Sequence, residues 1–261
     1  MARWAGSLAR LDSVNADAAS PRRQPFRDAS GHGAIVFDPR LLPQVELSLF
    51  ESAAYGDSAR EVQGQGGRGS AWFVRGEFGP AVLRHYRRGG WMAKLSDDAF
   101  LWQGEARVRS FNEFELLTTL QRAGLPVPAP IAAMYRRRNG RYRAAILVVR
   151  IYAVSNFAAL VGQSPATAPW SAAGNAIARC HRAHAHHADL NAHNLLVDGA
   201  GQVHLIDWDK GRIEPSLGDW CRRSLNRLER SLRKHCPEVS GADIDAGMSE
   251  LRGRHDMELR A

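Results

Sequence analysis

Residues 187–197 read HADLNAHNLLV, and residues 203–209 read VHLIDWD. Asp189 and Asn194 lie five positions apart, and Asp207 follows Asn194 by thirteen positions at the end of an apolar run. The intervening DGAG at 198–201 is typical of a turn, so the flanking apolar runs are predicted to form a hairpin. Carboxylate and amide oxygens are suitable ligands for Mg²⁺, which keeps water or phosphate oxygens as its other ligands. The spacing therefore predicts a metal-binding carboxylate and amide beside a second carboxylate.

The two strings resemble the catalytic segments of protein kinases, HRDLxxxN and DFG. Asp189 takes the place of the Asp that accepts the proton of the substrate hydroxyl. Asn194 and Asp207 take the places of the two metal-binding residues, whereas Ala188 and Asp209 replace the Arg and Gly of those motifs. Either string alone is also typical of a solvated, Asp-rich turn. Because both share the spacing and the hairpin, the resemblance implies a phosphotransferase that uses ATP and Mg²⁺.

A glycine-rich segment fits the same interpretation. Residues 64–69 read GQGGRG and contain GxGxxG between candidate strands, of which those at 71–74 and 80–86 follow the segment. Gly67, Arg68 and Gly69 are candidate positions for binding the phosphates of ATP. Glycine-rich surface loops without a ligand are also common.

A charged pair is predicted between the second of these strands and the next helix. Arg84, in AVLR, stands where protein kinases carry the Lys of VAIK, and its guanidinium group can bind phosphate through several donors. Apolar residues at helical spacing predict a helix at 111–121. Glu113 on that helix is the candidate partner of Arg84, and Glu115 is the alternative.

The order of predicted elements is strands, one helix, strands and then mostly helices. Asn139 and Gly140 are typical of a two-residue hairpin turn, and the segments at 169–184 and from Trp220 onward are predicted to be helical. This order predicts an α+β, two-lobe protein-kinase-like fold with a small β-rich N-lobe and a helical C-lobe. We expect a loosely ordered extension at 1–30, an N-terminal lobe at 31–152 and a C-terminal catalytic lobe at 153–261, with ATP between the lobes.

Composition narrows the class of partner. The 261 residues include 35 Lys and Arg against 27 Asp and Glu, a net charge of +8 that favours polyanionic partners. No nucleic-acid-binding motif is present in the sequence, so phosphorylated substrates or an anionic membrane are favoured over nucleic acid. The N-terminal residues lack the apolar run of a secretory signal. Three cysteines without paired spacing predict a reducing compartment rather than a disulfide framework.

Several strings together resemble one particular family, the Kdo kinases, which phosphorylate 3-deoxy-D-manno-octulosonic acid (Kdo). They are GRGS at 67–70, LRHYRRGG at 83–90, GLPVP at 124–128, DLNAHN at 189–194 and LNRL at 225–228. The resemblance runs from about residue 31 to residue 234. It implies ATP as the donor and the 4-hydroxyl of Kdo on a lipid A precursor as the acceptor. It also implies lipopolysaccharide biosynthesis at the cytoplasmic face of a Gram-negative inner membrane, as a peripheral protein.

Two basic segments are candidates for contact with anions. Lys210 and Arg212, just after Asp207, are expected to meet the anionic sugar or lipid phosphates. The run 222–235 carries six Arg and Lys residues, with leucines at helical spacing. One prediction is a helix that packs its leucines on the core and exposes its charges to solvent. The other is a helix that binds anionic lipid, and the two predictions are compatible.

Three alternatives stay open from the residues alone. The chain could be another small-molecule kinase of the same fold, although its basic charge disfavours a cationic aminoglycoside as acceptor. It could be a catalytically silent module that binds anionic lipid, which the intact Asp189, Asn194 and Asp207 disfavour. A zinc site among the histidines at 181–187 and Cys180 is disfavoured because a second Cys or His pair with finger spacing is missing from the sequence.

Overall fold

The computed structural model describes residues 20–62, 71–87 and 99–261. The chain divides into two compact units. We call residues 20–118 with Ala129–Arg150 the sheet unit, and Thr119–Pro128 with Ile151–Ala261 the helical unit. No helix in the described part of the chain is both long enough and apolar enough to cross a bilayer.

The sheet unit is built on an antiparallel sheet of eight strands. Seven strands lie in the order β1-β2-β7-β8-β5-β4-β3, and β6 pairs with β8. The strands are β1 Arg22–Asp28, β2 Gly31–Phe37, β3 Arg60–Glu61, β4 Ala71–Gly76, β5 Gly79–His85, β6 Phe100–Leu101, β7 Pro130–Arg138 and β8 Arg141–Val149. The unit also contains short 3₁₀ turns at Leu47–Phe50, Ser52–Ser58 and Glu105–Arg107, and most of a helix at Arg109–Arg122, whose last four residues are assigned to the helical unit.

The β7–β8 hairpin lies near the middle of this sheet, and its two-residue turn is the one that the sequence predicts. Asn139 and Gly140 make the two-residue turn, with φ angles of 50° and 72°. Positive φ at both central residues matches the right-handed twist of the flanking strands, which is why Asn-Gly is favoured there. The predicted helix is also confirmed, and it buries Phe114 and Leu117, each at most 1% exposed.

The N-terminal extension expected at 1–30 is wrong for residues 22–28. These residues form β1, which pairs along its whole length with β2. Apart from Phe26, its side chains are exposed, and the strand includes Pro25 and several charged residues. Backbone hydrogen bonds to a buried neighbour therefore hold β1 in place, and the sequence carries no alternating apolar pattern that reveals the strand.

In its described residues, the helical unit contains four longer helices and five short strands, which make three pairings. The helices are Phe157–Gln163, Trp170–Arg182, Asp219–His235 and Gly241–Arg260, with a 3₁₀ turn at Pro165–Thr167. The strands are β9 Ala153–Asn156, β10 Ala185–His186, β11 Leu195–Asp198, β12 Val203–Leu205 and β13 Arg212–Ile213. β11 pairs with β12 and with β9, while β10 pairs with β13. The predicted hairpin around 198–201 is confirmed by the β11–β12 pairing.

Two glycines allow a close approach between the helices Trp170–Arg182 and Gly241–Arg260. A Cβ atom at Gly174 would lie 2.3 Å from the carbonyl oxygen of Leu251, and one at Gly247 would lie 2.1 Å from the ring of Trp170. Neither position can accept a side chain without moving the backbone or the indole. This packing fixes the core on which the loops of the candidate site rest.

Candidate active site

The loop that contains Asp189 is anchored by a buried histidine. His187 is 3% exposed; its Nε2–H donates to the carbonyl oxygen of Ile206 over 2.8 Å, and its Nδ1 accepts from the backbone N–H of Asp189 over 3.2 Å. This pattern requires a neutral imidazole with its proton on Nε2. Burial lowers the pKa of His187, which agrees with the neutral form. The histidine thus joins the loop of Asp189 to the residue before Asp207.

Asn191 folds the loop into a compact turn. Its Oδ1 accepts from the backbone N–H groups of His193 and Asn194, over 3.0 and 3.2 Å. Its Nδ2 donates to the carbonyl oxygen of Asp189 over 3.1 Å and to Oδ2 of the same residue over 3.3 Å. No role was predicted for Asn191 from the sequence. Its signal is the Asx turn that Asn commonly makes with the backbone two residues on.

Asn194 is held with its amide oxygen available as a ligand. Its Nδ2 donates to the carbonyl oxygen of Asp189 over 3.0 Å, and this bond assigns the orientation of the amide. Its carbonyl oxygen accepts from the backbone N–H of Ile206 over 2.9 Å. The second bond ties Asn194 to the segment that carries Asp207.

Asp207 is exposed and has a backbone conformation that is unusual for a residue with a side chain. Its φ is +64°, in the left-handed region, which Asp tolerates better than most residues. The next residue, Trp208, is 1% exposed, and its indole N–H donates to the carbonyl oxygen of Leu205 over 3.0 Å. The Trp208 ring also packs on His187, with ring centroids 4.7 Å apart. The buried indole therefore fixes the turn that presents Asp207 to solvent.

The donor set fits Mg²⁺. An amide oxygen of Asn194 and a carboxylate of Asp207 are hard oxygen ligands on two loops that hydrogen bonds hold together. In the described ranges, His, Cys, Asp and Glu do not form any group of three arranged to bind a metal ion. The histidines considered for zinc have other contacts: His181 contacts His255 over 2.9 Å and His186 contacts Glu214 over 2.8 Å.

The carboxylate of Asp189 contacts an arginine from a distant helix. Arg227 donates from Nε and Nη2 to Oδ1 of Asp189, over 2.9 and 2.5 Å. Both side chains are half exposed, at 49% and 50%. From the sequence, Arg227 is part of the LNRL string and of a basic helix predicted to pack on the core or bind anionic lipid, with no assigned partner. The structure instead puts its guanidinium group on the candidate base.

The same helix, Asp219–His235, supports the rest of the loop. Ser231 accepts a hydrogen bond from the backbone N–H of Ala192 over 3.1 Å, and His235 stacks edge-on against His193 with centroids 4.6 Å apart. Residues 227, 231 and 235 follow one another at a spacing of four, so they share one side of the helix. The predicted packing is confirmed, since Leu225, Leu228 and Leu232 are buried.

The predicted pair of Arg84 and Glu113 is present in the sheet unit. Nη2 of Arg84 donates to Oε1 of Glu113 over 2.5 Å, and the hydroxyl of Tyr86 also donates to this carboxylate. Glu113 is 3% exposed, so its charge requires such partners. Glu115 is exposed and is not the partner in this pair.

The remaining candidates differ in their surroundings. Gly67, Arg68 and Gly69 lie outside the described residues. Lys210 is exposed in the turn after Trp208. Arg212 donates to Glu214 over 2.6 Å, and Glu214 also contacts His186, so Arg212 belongs to a local charged network.

Comparison with known proteins agrees with this site. Residues 53–250 match the family described as lipopolysaccharide kinase (Kdo/WaaP). A 3-deoxy-D-manno-octulosonic acid kinase of Stenotrophomonas maltophilia (strain K279a) is 50% identical over 233 residues, which cover 89% of this chain and 93% of the relative. Proteins of the same name from Xanthomonas oryzae pv. oryzae (strain PXO99A) and Xanthomonas campestris pv. campestris (strain B100) are 46% and 45% identical over the same shares. The sheet, the helices and the loops of Asp189 and Asp207 thus belong to a protein-kinase-like phosphotransferase acting on a hydroxyl, and the chain is a member of the lipopolysaccharide kinase (Kdo/WaaP) family.

Proposed function

We propose that this protein transfers the γ-phosphate of ATP to the 4-hydroxyl of a Kdo sugar on a lipid A precursor. The main support is that two loops are joined by hydrogen bonds. The contact of His187 with Ile206 and the backbone hydrogen bond between Ile206 and Asn194 hold the loop of Asp189 and Asn194 beside the segment of Asp207. Relatives about half identical over most of the chain are named for phosphorylating this sugar, which supports Kdo as the acceptor.

We assign the proton transfer to Asp189. The acceptor oxygen attacks the γ-phosphorus, the bond between this phosphorus and the β–γ bridging oxygen breaks, and ADP leaves with that oxygen. The proton of the hydroxyl passes to the Asp189 carboxylate. Its Oδ1 and Oδ2 are both held, by Arg227 and Asn191, so the base is oriented before the acceptor binds.

The residues proposed to bind the donor are those that the sequence motifs identify. Asn194 and Asp207 would hold Mg²⁺, which neutralises charge on the transferred and departing phosphates. Arg84, oriented by Glu113, binds phosphate oxygens of ATP, and Gly67, Arg68 and Gly69 are proposed to bind them as well. Lys210 is a further candidate for the anionic acceptor, whereas the contact of Arg212 with Glu214 makes it a weaker one.

The membrane face of the protein is assigned to part of the basic helix. Arg222 contacts Asp219 over 3.5 Å, Arg227 contacts Asp189, and Arg233 contacts Glu229 over 2.9 Å. Arg223, Arg230 and Lys234 are exposed and make no ion pair with any residue that the structure describes. Their spacing places these three on one stripe, which we call the basic stripe.

Three arginines at the end of β7, at 136–138, are further candidates for contact with anionic lipid, but two of them have other contacts. Arg136 contacts Asp28 over 2.9 Å, and the guanidinium group of Arg137 lies 4.8 Å from the ring of Trp102. Arg138 is exposed at the end of β7. We propose that the basic stripe binds anionic lipid at the cytoplasmic face of the inner membrane, and that Arg138 is a separate candidate for contact with anionic lipid.

Mass spectrometry tests the proposal directly. Incubation of a Kdo-bearing lipid A precursor with the protein and Mg-ATP should add one phosphate group, and nuclear magnetic resonance should locate it on the 4-oxygen. The Asp189→Asn variant is the matched control. Phosphate on a different sugar, or turnover of an aminoglycoside instead, would favour another kinase of the same fold. Binding of the lipid without any turnover would favour a silent lipid-binding module.

A further inference from the structure

We infer that Arg227 determines the acceptor specificity of this site, by contacting Asp189 with one edge of its guanidinium group and a carboxylate of the acceptor sugar with the other. The inference rests on the proposed function and deepens it. It identifies the carboxylate of the acceptor as the group that Arg227, beside the candidate base Asp189, recognises.

The first support is the geometry of the guanidinium group. Nε and Nη2 both donate to one oxygen, Oδ1 of Asp189. A guanidinium group has five N–H bonds in a fixed plane, so this edge uses two of them. The other edge carries the two N–H bonds of Nη1 and the second of Nη2, and in the described part of the chain no residue accepts from it. Since Arg227 is 49% exposed, that edge is open to a ligand.

The second support is that the arginine is held in place by its helix. The contacts of Ser231 with Ala192 and of His235 with His193 fix the same side of the helix against the loop. Leu228, next to Arg227 in sequence, is fully buried. Packing of the helix therefore fixes the backbone of Arg227 beside the loop, and the two hydrogen bonds to Asp189 hold its guanidinium group there.

The third support is electrostatic. An acceptor that carries a carboxylate near its reacting hydroxyl would be repelled by the Asp189 carboxylate, and a cation between the two anions removes that repulsion. A guanidinium group matches two carboxylates because each edge offers a pair of parallel donors.

The test compares two soluble acceptors that differ in one group. One is a Kdo glycoside, and the other is the same glycoside with its carboxylate converted to a carboxamide. Kinetics with Mg-ATP are measured for wild type, Arg227→Gln, Arg227→Lys and Arg222→Gln, with circular dichroism to check folding. Arg222 is the matched control because it lies on the same helix and contacts only Asp219 among described residues.

In wild type, kcat/KM should be roughly 10- to 100-fold higher for the carboxylate than for the carboxamide, as expected for hydrogen bonds to a charged group. Arg227→Gln should bring this ratio close to one, Arg227→Lys should give an intermediate ratio, and Arg222→Gln should keep the wild-type ratio. A wild-type ratio in folded Arg227→Gln would overturn the inference. So would a loss of the ratio in Arg222→Gln, because it would mean that only the charge of the helix matters. Failure of wild type to phosphorylate either glycoside or the lipid precursor would instead remove the proposed function.

Discussion

The backbone N–H of Ile206 donates to the carbonyl oxygen of Asn194 over 2.9 Å, so the two loops that carry the candidate metal ligands are joined through their main chains. His187 joins the same loops a second time through its imidazole. Because both bonds involve backbone groups, they constrain the positions of Asp189 and Asp207 independently of the side chains that do the chemistry. Substitutions at those side chains should therefore report on function with little disturbance of the fold.

Asp189→Asn should leave folding and Mg-ATP binding unchanged and lower turnover by about 10²- to 10⁴-fold, the usual contribution of a positioned general base. Turnover at saturating acceptor is the measurement. Asp57→Asn, at an exposed position in the sheet unit, is the control for the same chemical change. A wild-type rate in Asp189→Asn would mean that another group accepts the proton.

Asp207→Asn should weaken binding of Mg-ATP, because a neutral amide replaces a carboxylate ligand. Asn also tolerates the left-handed conformation seen at this residue, so the turn should persist. We expect a loss of at least about tenfold, or roughly 1.4 kcal/mol. Calorimetric titration should give weaker binding for this variant than for Asp189→Asn. Equal affinities in the two variants would contradict the division of roles between them.

Stability should fall as the pH falls below about 6.5 because of a buried histidine. The pKa of His181 is lowered from the usual value near 6.5 to about 3, mainly because the side chain is buried and also because His255 is adjacent. The unfolded chain therefore binds a proton between these values while the folded chain does not. The free energy of unfolding contributed by this group is fully present above pH 6.5 and decreases by about 2 kcal/mol between pH 6.5 and 5.

Urea denaturation at pH 7 and 5 measures this effect. His181→Gln should be less stable at pH 7, because it loses the contact with His255, but it should depend less steeply on pH than wild type. The pKa of His187 is also lowered by burial, so part of the pH dependence of stability should remain in both wild type and His181→Gln. His32→Gln, at an exposed position, should retain the wild-type slope. An unchanged slope in His181→Gln would exclude this histidine as the source.

Binding to anionic liposomes should depend on the basic stripe. Each basic residue near a charged surface contributes about 1 kcal/mol, so changing Arg223, Arg230 and Lys234 to Gln should reduce partition by roughly two orders of magnitude. Wild type should be released as salt rises, because such attraction is screened within about 8 Å at physiological ionic strength. Co-sedimentation is the measurement.

The control changes Arg22, Arg27 and Arg260, which are exposed elsewhere, to Gln and so removes the same net charge. It should bind liposomes far more strongly than the variant of the basic stripe. If both triple variants lose binding equally, net charge governs the attraction and the stripe has no special role. The soluble glycoside should remain a substrate of both.

Local patterns predicted much of the fold and part of the candidate site. The turn at Asn139 and Gly140 depends on neighbouring residues alone, and so does the β11–β12 hairpin. The pairing of Arg84 with Glu113 was predicted because the motif identifies Arg84 and the apolar pattern predicts the next helix, which carries Glu113 and the alternative Glu115. The contact of Arg227 with Asp189 was missed, since it joins residues 38 positions apart and an arginine on an amphipathic helix has the pattern of a solvated charge.

The strand Arg22–Asp28 has a practical consequence for any shortened version of the protein. Inside the full chain, Pro25 and several charged side chains line the edge of the sheet, and such residues discourage pairing with a second molecule. A recombinant fragment begun at residue 30 would retain every candidate site residue. It would nevertheless leave β2, with its buried Ala34, Ile35 and Phe37, as the new outermost strand. An apolar strand with unpaired backbone groups is a template for aggregation, so we expect such a fragment to precipitate although its catalytic machinery is complete.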